Sequence, residues 1–304
     1  MIVTCTLNPS LDCYMEFEDN LELGKTNRSL LEYYEAGGKG INVSVVLNNL
    51  GVPSKAFGFL GGFAKDFYIS LLTKYNQIQP SFTYIDGNTR INIKCIGDEN
   101  TDLNANGPYI TKENIEALKT KIERLDEGDY FVLSGNTQKY LEEDVEEMMK
   151  DLIDENVNVV LDTNHSLTQK MVKYQPFLVK RSVHELEEEY DVDDTKDVIE
   201  IGKKLYEAGA KHVIISEDDE TAIFVYEGGT YRAKLVHDDV VNTVGIGDSL
   251  VAGFLMQYIR SKDALDSFKF AAACGSATAY SKTLATREKV DKFYEEVELK
   301  EIES

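Results

Sequence analysis

The chain has 304 residues, 42% of them apolar, and a net charge of −22 from 32 basic and 54 acidic side chains. That is enough apolar material for one large α/β domain, or one domain with a small appendage. The acidic excess argues against non-specific binding to nucleic acid or anionic membranes, so an anionic ligand must be captured by local positive groups.

Residues 2–7 form an apolar run that stops at Asn8-Pro9, which predicts a first strand and not a signal peptide. No segment approaches the length of a membrane span, and a cytoplasmic location is expected. Between Asp12 and about Glu35 the strand-like runs 13–17 and 27–34 have no helix between them. Gly37-Gly38-Lys39-Gly40-Ile41-Asn42 then opens a helix near 41–50, with Val43, Val46, Leu47 and Leu50 at helical spacing and Gly51 and Pro53 ending it. Further strands are predicted at 55–60, 130–134, 157–162, 177–180 and 212–216, alternating with helices near 64–75, 112–125, 141–155 and 195–208. Near-continuous apolar strands separated by helices imply a parallel sheet covered on both faces. The stretch 87–103, with a strand at 90–96, again lacks a helix. Together with 12–35 it predicts a small projecting sheet placed as a lid, whose exposed edge suits pairing with a second copy in a homodimer. No repeat, low-complexity tract or linker divides the chain, so 1–304 reads as a single domain.

The four cysteines (Cys5, Cys13, Cys95, Cys274) and four histidines (His165, His184, His212, His237) are scattered, and none has metal-ligand spacing. Buried free thiols in a reducing compartment are the plain reading. His184-Glu185 begins like a zinc-protease motif, but Glu188 stands where the second histidine would be, so a zinc site is rejected.

Asn242-Thr243-Val244-Gly245-Ile246-Gly247-Asp248-Ser249 is the most informative run. Two glycines and an aspartate sit where a loop becomes a helix, and 250–259 is apolar nearly all round, so that helix is predicted to be buried. Bare glycines at a helix N-terminus can hold an anion on backbone N–H groups. Asp248 would repel that anion; its expected task is to accept a proton from an attacking hydroxyl. The feature reads as phosphoryl transfer to an alcohol, against the plain alternative of a tight turn.

The Gly37–Asn42 cluster is not a P-loop, because Gly40 follows the lysine and Tyr33 holds the upstream glycine position. Gly245-x-Gly247 is not a dinucleotide fingerprint, because Leu250 holds the third glycine position. What remains at Lys39 suits a substrate phosphate or sugar hydroxyls, and equally a flexible hinge with a solvated lysine. Arg90 and Arg28 lie in strand-like stretches, where an arginine is more often solvated. With Lys39 they would form a small cationic cup in an acidic protein.

Taken together, Thr6-Leu7-Asn8-Pro9-Ser10-Leu11-Asp12, Gly-Gly-Lys-Gly-x-Asn, Thr89-Arg90-Ile91-Asn92, Thr101-Asp102-Leu103-Asn104 with Gly107-Pro108, and Gly245–Asp248 resemble the ribokinase-like (PfkB) carbohydrate kinases end to end. Within that family the chain is most similar to the phosphosugar branch of 1-phosphofructokinases and tagatose-6-phosphate kinases. The resemblance implies a three-layer α/β/α, Rossmann-like domain with a β-sheet lid, using ATP and Mg²⁺. It implies phosphorylation of fructose 1-phosphate to the bisphosphate, with tagatose 6-phosphate as the alternative acceptor. A sugar-phosphate-binding protein with weakened catalysis on the same fold is the reading from another class. Asp248 would be the general base, with the backbone of Gly245, Ile246 and Gly247 as the anion hole. Asp12, Gly38 and Asn42 would bind sugar hydroxyls, with Asn92 also on the substrate side, and Lys39, Arg90 and Arg28 would bind the sugar's own phosphate. Lys180, Ser182, Glu185, Ser216, Gly245, Gly247 and Cys274 would face the nucleotide, with Glu185 acting indirectly on the metal. Several positions depart from the family pattern. Ile246 replaces a small residue, Ser182 replaces an asparagine, Glu217-Asp218 replace a neutral turn, and Ser134-Gly135-Asn136-Thr137-Gln138 lacks the usual Ser-x-Pro. The acidic pair either faces solvent or makes ATP binding depend unusually on Mg²⁺.

Overall fold

In the computed structural model, residues 1–190, 192, 194–217, 221–234 and 240–302 are described. The first half of the chain contains β1 (Ile2–Thr6), β2 (Ser10–Glu16), β3 (Leu31–Gly37), α1 (Lys39–Asn49), β4 (Ser54–Gly61), α2 (Ala64–Leu72), β5 (Ile78–Pro80), β6 (Thr83–Ile85), β7 (Arg90–Ile96), β8 (Thr101–Leu103), α3 (Lys112–Ile122), β9 (Tyr130–Ser134) and α4 (Glu142–Asp154). The second half contains β10 (Asn158–Asp162), α5 (His165–Met171), β11 (Leu178–Ser182), α6 (Val183–Glu187), α7 (Thr195–Glu207), β12 (His212–Ser216), β13 (Thr221–Tyr226), β14 (Gly229–Lys234), α8 (Ile246–Ser261), α9 (Ala264–Ala279), α10 (Arg287–Glu296) and β15 (Glu298–Glu301).

The main sheet runs β15-β14-β13-β12-β11-β10-β9-β1-β4-β5, with β6 also on β4. Strands from β5 to β12 are parallel, and β13, β14 and β15 extend the sheet antiparallel. β1 and β9 are buried at every position, which is why each reads as an unbroken apolar run. Alternate side chains supply two cores. Val132, Val160 and Ile214 face a cluster with residues of α1, α8, α9 and α10. Phe131, Leu133, Val159, Leu161 and Val213 face one with residues of α3, α4, α5 and α7. The result is a three-layer α/β/α architecture.

The helices follow their sequence signals. Asp194 accepts from the N–H groups of Lys196 and Asp197 to start α7, which buries Val198, Ile201 and Leu205 on one face. α8 buries Leu250, Phe254 and Leu255, each contributing about 1.5–3 kcal/mol of apolar burial. The antiparallel extension and the two helices after α8 are elements that the alternation of strands and helices did not bring out. No helix of the described residues is long and apolar enough to cross a membrane.

A second, four-stranded sheet has the order β3-β2-β7-β8. β2 pairs antiparallel with β3 and parallel with β7, and β7 pairs antiparallel with β8. Its strands sit a few residues from their predicted bounds: β2 begins at Ser10 and β3 runs Leu31–Gly37, because the chain from Thr26 to Leu30 makes no ladder. β3 ends at Gly37, one residue before Gly38 caps α1, so this sheet joins the main domain directly at the first glycine cluster.

Candidate active site

The C-terminal ends of β1, β10 and β11 and the N-termini of α1 and α8 meet in one place, where ligands of open α/β sheets bind. Gly245 caps α8 at φ 84°, a left-handed conformation, and a Cβ there would lie 2.4 Å from Leu284 Cδ2. A Cβ on Gly247 would lie 2.5 Å from Lys180 Nζ, so the ammonium rests directly against the first turn of the helix. The N–H groups of that turn have no intrahelical partner, and they form an anion cradle with a lysine at its side. Ile246, in the middle of the cradle, points into the core at 5% exposure.

Asp248, in the same turn, is 4% exposed and accepts a 2.8 Å hydrogen bond from Asn42 Nδ2 on α1. Burial and nearby Asp162 push its carboxyl up to about 6, while Lys39, the Asn42 amide and Lys180 pull the other way. It is therefore ionised at neutral pH and close enough to neutrality to take a proton.

Lys39 Nζ donates to Glu185 Oε1 at 2.9 Å and lies 3.3 Å from Asp162 Oδ1, which is also 3.5 Å from Lys180 Nζ. Burial disfavours the charge on Lys39, but Asp162, Glu185 and Asp248 together outweigh it and raise the pKa. Burial likewise opposes ionised Glu185, yet Lys180, Lys39 and Arg181 hold it at about 2. Ser182, where the family pattern has asparagine, forms a capping box with Glu185. Its hydroxyl accepts from the Glu185 N–H, and Glu185 Oε2 accepts from the Ser182 N–H at 3.0 Å. That box fixes the carboxylate that meets Lys39. Arg181 is spent on Glu189, with two 2.7 Å bonds, and on the Thr163 carbonyl.

Asp162 was not among the residues singled out from sequence. It is fully buried, and its Oδ2 has no hydrogen-bond partner among the described residues. The available signal was position: it ends a strand of the parallel sheet, at the edge where ligands bind.

On the side of the second sheet, Asp12 accepts from Ser10 Oγ at 2.7 Å and Asn92 Nδ2 at 3.1 Å. A Cβ on Gly37 would lie 2.1 Å from Asp12 Oδ2, so only glycine leaves room for this carboxylate. Burial raises the Asp12 pKa, against the Ser10 hydroxyl, Lys94, the Asn92 amide and Arg90. Gly38, at φ 128°, faces Thr6. Arg90 Nε donates to the Asn8 carbonyl at 3.2 Å and Nη1 to the Ala105 carbonyl at 3.3 Å. Lys39 and Arg90 thus have different partners, Lys39 among the carboxylates beside α8 and Arg90 beside the second sheet. Arg28 is exposed and makes no hydrogen bond or ion pair among the described residues.

Two nucleotide-side candidates have protein surroundings. Cys274 is fully buried on α9, where its Sγ lies 2.6 Å from where a Gly253 Cβ would be, so it packs α9 against α8. Glu217 is paired with Arg232 at 2.6 Å, and its side chain is 7% exposed. Ser216 Oγ reaches back to the Arg181 carbonyl at 3.5 Å. Asp218 and His237 lie outside the described residues.

These groups fit a magnesium nucleotide. The cradle beside Gly247 and Lys180 suits phosphate oxygens, and the unpartnered Asp162 oxygen with Glu185 offers carboxylates to a divalent cation. Among the described residues no group of three or more His, Cys, Asp or Glu side chains is arranged to hold a metal alone.

Comparison with known proteins agrees with this geometry. The chain is 39% identical to a 1-phosphofructokinase of Borreliella burgdorferi, covering 99% of both chains. It is 29% identical to a D-tagatose-1-phosphate kinase of Bacillus licheniformis, over 98% of this chain and 99% of that one. The crystal structure of a putative phosphofructokinase from Staphylococcus aureus superposes with a TM-score of 0.85 at 34% identity, covering 100% of each chain. The model of the pfkB family of carbohydrate kinases matches residues 12–289, and this chain belongs to that family.

Proposed function

We propose that the protein is an ATP- and Mg²⁺-dependent kinase of ketose 1-phosphates that phosphorylates the C6 hydroxyl, with fructose 1-phosphate as the preferred acceptor. The carrying observation is Asp248, a buried carboxylate at the anion cradle of α8, held by Asn42 and flanked by Lys39 and Lys180. Asp248 takes the proton of the C6 hydroxyl as its oxygen bonds to the γ-phosphorus of ATP and the bond from that phosphorus to the bridging oxygen breaks, releasing ADP. The N–H groups of the α8 first turn, with Lys180, receive the charge that develops on the phosphoryl oxygens. Bound Mg²⁺ would neutralise phosphate charge, and Asp162 and Glu185 are the residues to hold it. Asp12 would accept from sugar hydroxyls, and Arg90 would bind the sugar's own phosphate with its remaining N–H groups. The second sheet would cover the acceptor and exclude water. The exposed Leu30, Leu31, Tyr33, Tyr34 and Leu103 on and beside that sheet suit a homodimer partner. The enzyme would work in the cytoplasm.

The second acceptor is a tagatose phosphate. The sequence pointed to tagatose 6-phosphate; the Bacillus licheniformis relative favours the 1-phosphate, which leaves the C6 hydroxyl free just as fructose 1-phosphate does. The test is a panel of fructose 1-phosphate, fructose 6-phosphate, both tagatose phosphates and fructose with ATP and Mg²⁺, scored by kcat/KM. Fructose 1-phosphate should rank first and unphosphorylated fructose last. Absence of ATP turnover with every phosphosugar would leave a binding protein as the better reading.

A further inference from the structure

The chain from Asn104 to Tyr109 follows β8 and crosses to α3 as an exposed loop. Outside the strand ladders it makes no backbone–backbone hydrogen bond among the described residues. Side chains hold it instead. Asn8 Nδ2 donates to the Asn106 carbonyl at 2.8 Å, and Arg90 Nη1 donates to the Ala105 carbonyl at 3.3 Å. Asn92 Oδ1 accepts from the Ala105 N–H at 3.2 Å.

Asn92 is 5% exposed, and the other end of its amide donates to Asp12 Oδ1. Its orientation follows from the neighbours. Reversed, the NH₂ would face the Ala105 N–H and the oxygen would face a carboxylate. One rigid group therefore spans the gap between Asp12 and the loop, donating on one side and accepting on the other. Each end of the amide thus has a partner inside the protein, and one N–H and one oxygen lone pair remain beyond these two bonds. Arg90 lies two residues earlier on β7, on the same face, and makes a parallel tie from the Asn8 carbonyl to the Ala105 carbonyl.

We propose that Asn92 is a positioning residue that ties the Asp12 carboxylate to the 104–109 loop, so that the loop's seating and the acceptor-binding carboxylate are set as one unit. This rests on the reading of Asp12 as the group that accepts from sugar hydroxyls. A buried amide with both ends satisfied fixes geometry in a way that a lone packing contact does not. The loop is then the wall of the acceptor pocket, held by the residues that orient the acceptor.

The experiment uses the full chain and three variants, Asn92→Ala, Asn92→Asp and Asp12→Asn. Amide exchange of residues 104–109 is followed without ligand, and KM is measured for fructose 1-phosphate and for ATP. Asn92→Ala removes both ends of the tie. Exchange at Ala105 should rise about 10-fold or more, and the KM for fructose 1-phosphate should rise about 10- to 100-fold with the KM for ATP within about twofold. Asn92→Asp keeps an acceptor for the Ala105 N–H but sets a carboxylate against Asp12, so loop exchange should stay native while the sugar KM rises. It also guards against Asn92→Ala failing to fold. Native loop exchange in Asn92→Ala, or equal rises in both KM values, would overturn the proposal. An unchanged sugar KM in Asp12→Asn would instead overturn the reading of Asp12, while the exchange of the Asn92→Ala loop still decides whether the tie exists.

Discussion

On the sugar side, Asp12, Arg90 and Asn92 each have protein partners, and the carboxylate of Asp12 is answered by a hydroxyl and an amide. On the proposed phosphoryl side, Asp162, Glu185 and Asp248 face Lys39 and Lys180, and one oxygen of the fully buried Asp162 has no hydrogen-bond partner among the described residues. The first region is held by charge-assisted hydrogen bonds to one carboxylate and from one guanidinium. The second is a cluster of three carboxylates and two lysines. Burying carboxylates together strains the folded state unless each is matched, and Asp248, raised by burial and by nearby Asp162, carries that cost.

The largest break in this comparison is Asp248→Asn. The side chain keeps its shape and loses its basicity, so kcat should fall about 10²- to 10⁴-fold with little change in substrate binding. Near-native kcat would remove Asp248 from the proton transfer. The same variant tests the strain. The folded pKa of about 6 lies above the ordinary aspartate value of 3.8, so ionisation of Asp248 costs stability above pH 6. Asp248→Asn should therefore be more stable by about 2–4 kcal/mol at pH 7.5. The gain should shrink as pH falls through 6 and vanish below about pH 4 in denaturant titrations. A variant no more stable than the native chain at pH 7.5 would mean that the site stores no such cost.

How much of this was legible follows the same divide. Gly245-x-Gly247-Asp248 could be singled out because two glycines and a carboxylate sit within one turn of a helix, and Gly37–Lys39 because two glycines adjoin a helix start. The parallel strands were legible because burial on both faces makes them continuous apolar runs. The link of Lys39 to Asp162 and Glu185 was not, because those partners lie 123 and 146 residues away and only the sheet order brings them together. From sequence Lys39 was therefore grouped with Arg90 and Arg28, whereas its protein partners in the fold are Asp162 and Glu185. The hairpin of β13 and β14 left a local trace in Gly228-Gly229 between two apolar runs. Its antiparallel continuation of a parallel sheet is a tertiary choice with no local mark.

Lys39→Met sharpens the comparison by removing the cation that serves all three carboxylates. Lys39 lowers the Asp248 pKa, so its loss should move the acid limb of the kcat/KM profile upward from about 6. A shift of about one unit is expected, with kcat/KM at pH 7.5 down about 10- to 100-fold. Lys39→Arg keeps the charge and should leave the limb near its native place. A Lys39→Met profile superimposable on the native one would show that the lysine does not govern the base.

The smallest effect is expected at the edge of the phosphoryl side, where the acidic turn was read as a liability. Glu217 ends beyond β12 with its carboxylate against Arg232 of β14, and Arg232 also reaches Thr221 Oγ1 at 3.4 Å. The pair turns a formal negative charge into a locally neutral one, so the native protein should show little extra Mg²⁺ dependence from Glu217. Arg232→Ala leaves that carboxylate uncompensated. A single charge acting through solvent near a Debye length is worth a fraction of a kcal/mol, so the KM for ATP should rise only about two- to threefold, most at low salt and low Mg²⁺. Arg232→Ala with Glu217→Gln should restore the native value, since the double variant is again neutral there. If the single variant raised KM equally at 0.5 M salt, the cause would be lost packing of the arginine and not the freed charge.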